Sequence, residues 1–202
     1  MPRKKSGLTP AEYAILGLVH QRPVHGYQIA QEMAPDSGLG LICPLQRSNV
    51  YFLLGNLERR GLIEVEQRRD DAYPPKTVFK ATTTGRRAFE SWIWQPIARL
   101  REVRLDFLLK TYFLRDAEPE SILRLLDGQV EFCQRYLGEW QALADGAAPQ
   151  SFDRLVIQAK LAAAQGTLDW LLDYRRHLEE QATAGRPAGA GVGARAQKGG
   201  RA

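Results

Sequence analysis

Cysteine, methionine and histidine are all scarce in this 202-residue chain, with two, two and three copies. Cys43 and Cys133 lie 90 positions apart with no Cys-x-x-Cys pair, which argues against a disulfide framework or a zinc knuckle. Only His20 and His25 are near one another, and two imidazoles without a third ligand rarely hold a metal. No metal and no cofactor are therefore expected, and His25 reads as a helix-entry residue. No run of about 18 apolar residues occurs, so no membrane-spanning helix is expected. The start, MPRKKSGLTP, is basic but has no apolar stretch behind it, as a secretory signal would need. A reduced, cytoplasmic compartment is the simplest reading. A glycine-rich phosphate loop, a Ser-His-Asp set and a nucleophilic cysteine context are missing too, so an enzyme is not expected.

What the chain does have is an ordinary globular composition, 44% hydrophobic and 25% charged, and a formal net charge of +5. The charge is unevenly placed. Residues 1–90 carry 13 Lys/Arg against 9 Asp/Glu, a net of +4. Residues 91–182 carry 11 against 14, a net of −3, and residues 183–202 carry 4 against none. A basic front, an acidic middle and a basic tail suggest different partners for different segments, although a few charges either way are common in any globular protein.

The local patterns divide the chain the same way. Thr9, Pro10 and Glu12 supply an N-cap, a first-turn proline and a capping-box glutamate, with Leu8 and Tyr13 at the positions of a hydrophobic staple. That helix ends at Arg22-Pro23. A second is expected over His25–Ala34, followed by a glycine-containing loop from Asp36 to Cys43. A third is expected over Gln46–Arg60, with Val50, Leu53, Leu54 and Leu57 on one stripe and Gly61 as a left-handed cap. Two β-prone runs follow, Ile63–Gln67 and Thr77–Ala81, with a polar, proline-rich turn between them in which Asp70-Asp71 limit the charge of Arg68-Arg69. Thr82 then caps a helix carrying Ala88, Phe89, Trp92 and Ile93.

At about 100° per residue, Ser48, Phe52, Gly55, Asn56 and Arg59 share the outward face of the third helix, with Asn49 beside them and Tyr51 at the flank. A glycine, two amides and an aromatic do not make an ordinary Lys/Glu solvent face. Three helices followed by a hairpin is the order of a winged helix-turn-helix, whose third helix enters the major groove of double-stranded DNA. In that arrangement Ser48, Asn49 and Asn56 are the base-edge or phosphate donors. Arg47, Arg59, Arg68, Arg69 and Lys76 supply phosphate contacts, which carry affinity but little sequence information.

The remainder reads as helical. Leu105, Leu108, Leu109, Tyr112 and Phe113 form one apolar stripe, Ile122, Leu126, Gln129, Cys133, Tyr136, Leu137 and Trp140 a second, and Leu161, Ala164, Leu168, Leu171 and Leu178 a third. The last two helices are expected to turn over Asp145–Pro149. Long amphipathic helices with few partners in their own chain point to a homodimer; the alternative is a monomeric three-helix bundle. Residues 183–202, rich in glycine and alanine and without acidic residues, are expected to be a disordered basic tail. The fold class is thus mainly α: a winged helix-turn-helix DNA-binding domain over residues 1–95, then an all-helical dimerisation domain over 96–182.

Three segments carry a family resemblance. Leu8–Leu18 with His25–Ile29, then Asn49–Ile63, then Thr82–Trp92 resemble the PadR-type transcriptional regulators. Arg104–Lys110 and Thr167–Leu171 are similar to the C-terminal helices of the longer subfamily. The resemblance implies a homodimeric repressor on an inverted repeat, with Tyr51 as the recognition-helix tyrosine and Arg47, Ser48 and Asn49 as its polar start. The entry to that helix, Cys43-Pro44-Leu45-Gln46, departs from the small-residue entry of many members. It also implies that a small aromatic effector could be felt by the DNA reader at Trp92 and Phe89, although aromatics at helical spacing are more often core. The competing reading is a protein-interaction or sensor module on the same scaffold that no longer reads DNA, kept open by the outward Phe52.

Overall fold

The computed structural model describes residues 7–69 and 76–184. The turn expected at Asp70-Asp71 and the tail from residue 185 lie outside the described residues.

The first helix, α1 (Pro10–Gln21), starts where its local chemistry requires. Thr9 Oγ1 accepts the Glu12 N–H at 3.3 Å, and Glu12 Oε2 accepts the Thr9 N–H at 2.7 Å. Two expectations for the next segment need correction. Val24–His25 is a short strand, β1, and only Gly26–Glu32 is helical (α2). A two-residue strand has no period of its own; β1 exists because Val24 and His25 pair with Phe79 and Val78 much later in the chain. The segment read as a loop contains a helical turn, α3 (Gly38–Ile42). Ser37 caps it by accepting the Gly40 N–H at 2.8 Å. A side chain at Gly40 would overlap the Ala34 carbonyl, so the glycine that made this stretch look like a loop is what lets the turn close.

The helix α4 (Arg47–Arg59) buries Val50, Leu54 and Leu57. Gly61 follows at φ 68°, the left-handed position that ends such a helix. The strands β2 (Ile63–Arg69) and β3 (Lys76–Ala81) form an antiparallel hairpin with an irregularity between Val65 and Gln67. The sheet has three strands in the order β1-β3-β2. Thr82 closes the unit: its Oγ1 donates to the Gly61 carbonyl at 2.7 Å and accepts the Gly85 N–H of α5 (Thr83–Trp94) at 3.1 Å.

Three further helices follow among the described residues, α6 (Leu100–Leu114), α7 (Pro119–Gly146) and α8 (Phe152–Ala184). The turn between α7 and α8 falls at residues 147–151, slightly later than expected. Arg154 Nη1 donates to the Ala144 carbonyl across it at 3.1 Å. One hydrophobic core runs from α1 to α8, taking in Ile15, Leu54, Trp92, Phe107, Leu126 and Leu171. Two contacts tie the halves. Gly17 on α1 lies against the Phe113 ring of α6, where any Cβ would overlap the ring. The fully buried Gln129 of α7 grips the connection before α6: its Oε1 accepts the Ile97 N–H at 2.9 Å and its Nε2 donates to the Ile97 carbonyl at 3.3 Å. The whole is a winged helix-turn-helix continued by a helical region.

Candidate nucleic-acid interface

The burial of Val50, Leu54 and Leu57 fixes the rotation of α4, so the residues between them must face out. Arg47, Ser48, Asn49, Tyr51, Phe52 and Arg59 are exposed, and Asn56 is half-buried. The structure therefore brings the sequence-predicted α4 residues onto one surface. Among the described residues, the side chains of Ser48 and Asn49 have no protein partner. Asn56 Oδ1 accepts from the Arg59 guanidinium, whose Nε also reaches the Gly55 carbonyl at 3.3 Å. The Asn56 amide donors remain free to meet a base edge or phosphate.

Tyr51 is positioned from two sides. The Arg47 guanidinium sits 5.9 Å from its ring centroid, one helical turn back. The ring lies against the start of α2, where a Cβ on Gly26 would stand 3.0 Å from Tyr51 Cε1. Gly55, by contrast, has open space where its Cβ would be, so the middle of the outward face is low.

Two cations that follow α4 in the chain, Arg60 and Lys80, are held in ion pairs. Arg60 pairs with the buried Glu12 at 3.3 Å, and Lys80 pairs with Glu64 at 3.3 Å and Glu66 at 3.9 Å. Arg68, Arg69 and Lys76 lie on the hairpin, with Arg68 opposite Thr77 and Arg69 opposite Lys76. Their side chains lie outside the described residues.

Phe89 and Trp92, expected together at a ligand, lie with their rings 5.7 Å apart, and of the two only Phe89 lines a cavity. Trp92 is 7% exposed and stacks on Tyr13, with centroids 4.4 Å apart and planes at 10°. Lys110 Nζ sits 5.1 Å from its ring centroid. Phe89 instead borders a cavity of about 820 Å³ between α1, α2, α5 and the end of α6. His20, Gln28, Trp94, Tyr112, Phe113 and Arg115 also line it. Phe89 packs edge-on against Phe113 at 5.2 Å and lies 5.7 Å from Trp92 behind it. His20 tilts over Phe89 at 4.8 Å; burial pushes its pKa down, against the opposing pull of Glu90, and its buried Nδ1 has no partner among the described residues. The Arg115 guanidinium covers Tyr112 at 4.0 Å. Sequence reasoning missed Tyr112 and Arg115 as cavity residues. Their signal, an aromatic three positions before an arginine at a helix end, becomes legible only once three other elements close around it.

A second group of ionisable residues sits on α6. Burial raises the Asp106 carboxyl to about 6, against the opposing pull of Lys110, and lowers the Lys110 ammonium to about 8. Lys110 is 1% exposed and donates to the Gln95 carbonyl. Cys43 and Cys133 are both free and buried, and burial raises both thiol pKa values. Among the described residues no group of three or more His, Cys, Asp or Glu could hold a metal ion, and no helix is long and apolar enough to cross a membrane.

Comparison with known proteins gives a consistent family. The transcriptional regulator PadR-like family matches residues 15–91, and the virulence activator alpha C-terminal family matches residues 103–179. The negative transcriptional regulator PadR of Bacillus subtilis is 26% identical over 172 residues, which is 79% of this chain and 92% of the relative. The crystal structure of that organism's PadR with operator DNA matches at 23% identity, covering 83% of this chain and 98% of that one, with a TM-score of 0.39. Its structure with p-coumaric acid matches at 22%, covering 85% and 99%, with a TM-score of 0.40. With such low scores, the assignment rests on the sequence matches.

Proposed function

The chain belongs to the PadR-like family of transcriptional regulators, in its longer form with a C-terminal helical region, and from that premise we propose that it is a dimeric repressor. The outward face of α4 carries the reading. A helix of that diameter fits the major groove, and its exposed surface offers unpaired amide and hydroxyl groups rather than a solvated Lys/Glu face. Ser48, Asn49, Tyr51 and Asn56 read the operator. Arg47 and Arg59, with Arg68, Arg69 and Lys76 on the wing, hold the backbone. A curated relative is named a negative regulator, which supports repression over activation. The division of the chain stays as read from its sequence, with DNA reading by residues 1–95 and dimerisation by 96–182.

Two copies joined through the helical region meet an inverted repeat with half-sites about one helical turn, or a multiple of it, apart. Release follows when a small aromatic ligand occupies the cavity floored by Phe89, with Trp92 behind it transmitting the change to the core. The His20 imidazole and the Arg115 guanidinium supply polar ends for such a ligand. It shifts the equilibrium only by its differential affinity for the DNA-competent and released forms.

The test is a gel shift against the DNA upstream of the chain's own gene, at stated salt, repeated with a panel of phenolic acids and planar drugs. Sequence-specific retention that a panel member relieves is the expected outcome. Full operator affinity after loss of both Asn49 and Tyr51 would show that α4 is not the reader. Tryptophan fluorescence unchanged across the whole panel would remove the effector, because Trp94 lines the cavity and Trp92 lies directly beneath Phe89.

A further inference from the structure

Phe52 is the large apolar residue at the centre of the α4 face, and it is 65% exposed. Its neighbours one turn away are Ser48, Asn49, Gly55 and Asn56, all small or polar. Gly55 leaves open space beside it, so the ring stands above its surroundings rather than nesting among them. Among the described residues, no aromatic or cationic side chain is stacked on it, in contrast to Tyr51, which Arg47 covers. Exposing a phenyl ring to water in that position costs free energy, which burial against a partner would recover.

Resting on the reading of α4 as the recognition helix, we propose that Phe52 reads the C5-methyl group of a thymine in the major groove. The groove floor offers few apolar partners. Guanine and adenine present N7 together with O6 or an amino group, and cytosine presents its amino group; among the four bases only thymine adds a methyl. A phenyl ring cannot hydrogen-bond to the other edges and would desolvate them without compensation. A thymine methyl, in contrast, is buried by the ring at no polar cost. Phe52 then discriminates against G·C at one position in each half-site, while Asn49 and Ser48, a turn nearer the N-terminus of α4, read the adjacent base pairs by hydrogen bonding. The exposed phenylalanine is then a specificity element rather than an obstacle to DNA reading.

The experiment uses the full chain. Duplexes are selected from a randomised pool, and each thymine of the enriched site is then replaced singly by deoxyuridine, which removes one methyl and alters nothing else on the groove edge. Affinities are measured for the wild-type protein, for Phe52→Ala and for Phe52→Leu. Burial of one methyl corresponds to about fourfold in affinity, so one thymine per half-site should show roughly that loss on replacement. Phe52→Ala should bind the thymine and uracil duplexes equally at that position, and Phe52→Leu should keep part of the difference. Phe52 is exposed, so both variants should fold as the wild type does. Enrichment of a defined site with no methyl-sensitive thymine overturns this inference and leaves the recognition helix standing. So does a thymine preference that Phe52→Ala preserves. Failure to enrich any sequence overturns the DNA-reading function itself, and this inference with it.

Discussion

Replacing Gln129 with leucine should destabilise the protein far more than an ordinary glutamine substitution. Gln129 is fully buried and its amide satisfies both backbone groups of Ile97, a residue itself only 6% exposed. Leucine fills nearly the same volume, so no large cavity opens and the loss isolates the hydrogen bonds. Each buried backbone group left unpaired costs about 1–3 kcal/mol, which puts the pair at roughly 2–6 kcal/mol. With an m-value of about 2–3 kcal/mol/M in urea, the unfolding midpoint should fall by on the order of 1 M. Circular dichroism at fixed protein concentration reads this directly, and fixing the concentration removes the mass-action shift of an associating protein. Gln165→Leu is the control, since Gln165 is exposed and, among the described residues, bonds only to Asp169 within the same helix. A Gln129→Leu midpoint within about 0.2 M of both wild type and control would refute the claim that Gln129 pins the connection between α5 and α6.

Further outcomes follow from the same structure. The folded pKa of Asp106, about 6, lies above its ordinary value of 3.8, so the folded state binds the extra proton between them. Its contribution therefore falls as pH rises from about 4 to about 6. Asp106→Asn should flatten that slope and raise the urea midpoint at pH 7.5 relative to wild type, with little change at pH 4; an unchanged slope would show that the carboxyl is solvated. Gly17→Ala should cost about 1–3 kcal/mol in the same assay, because the new methyl must displace the Phe113 ring. In binding assays, Asn49→Ala and Tyr51→Ala should weaken specific over nonspecific affinity. Arg68→Ala and Arg69→Ala should instead each lower the salt slope by about one, and an unaltered slope would take the wing off the phosphate backbone.

Where structure follows from neighbouring residues, the sequence was legible. The Thr9–Glu12 capping box, the Thr82 cap and the left-handed Gly61 each depend on a few adjacent positions, and all are present. The outward face of α4 was legible because three buried aliphatic residues fix a helix's rotation by arithmetic. The strand β1 was not, since its partners Phe79 and Val78 are more than fifty residues away. Nor was α3, whose Gly40 is a loop signal locally and a packing requirement in three dimensions. The stripe of α7 placed Gln129 inside, yet nothing in its periodicity names Ile97 as the group it satisfies. The different fates of Phe89 and Trp92 also needed the fold, because three positions along α5 separate a cavity wall from a stacked core ring.

The Gln129–Ile97 clamp also has a consequence for how operator geometry can evolve. Those two hydrogen bonds restrain the head from swivelling on α7 to meet differently spaced half-sites. Under the dimer proposed above, spacing is then dictated by the rods to which the heads are fastened. Helix α8, with 33 residues, is about 50 Å long, and one heptad along it is roughly 10 Å, close to the rise of three base pairs. Sliding the pairing of two such rods by a heptad would move the heads by about a third of a DNA turn. Operator spacing would thus be inherited in steps, through helices that never touch a base, while α4 remains free to change its letters independently.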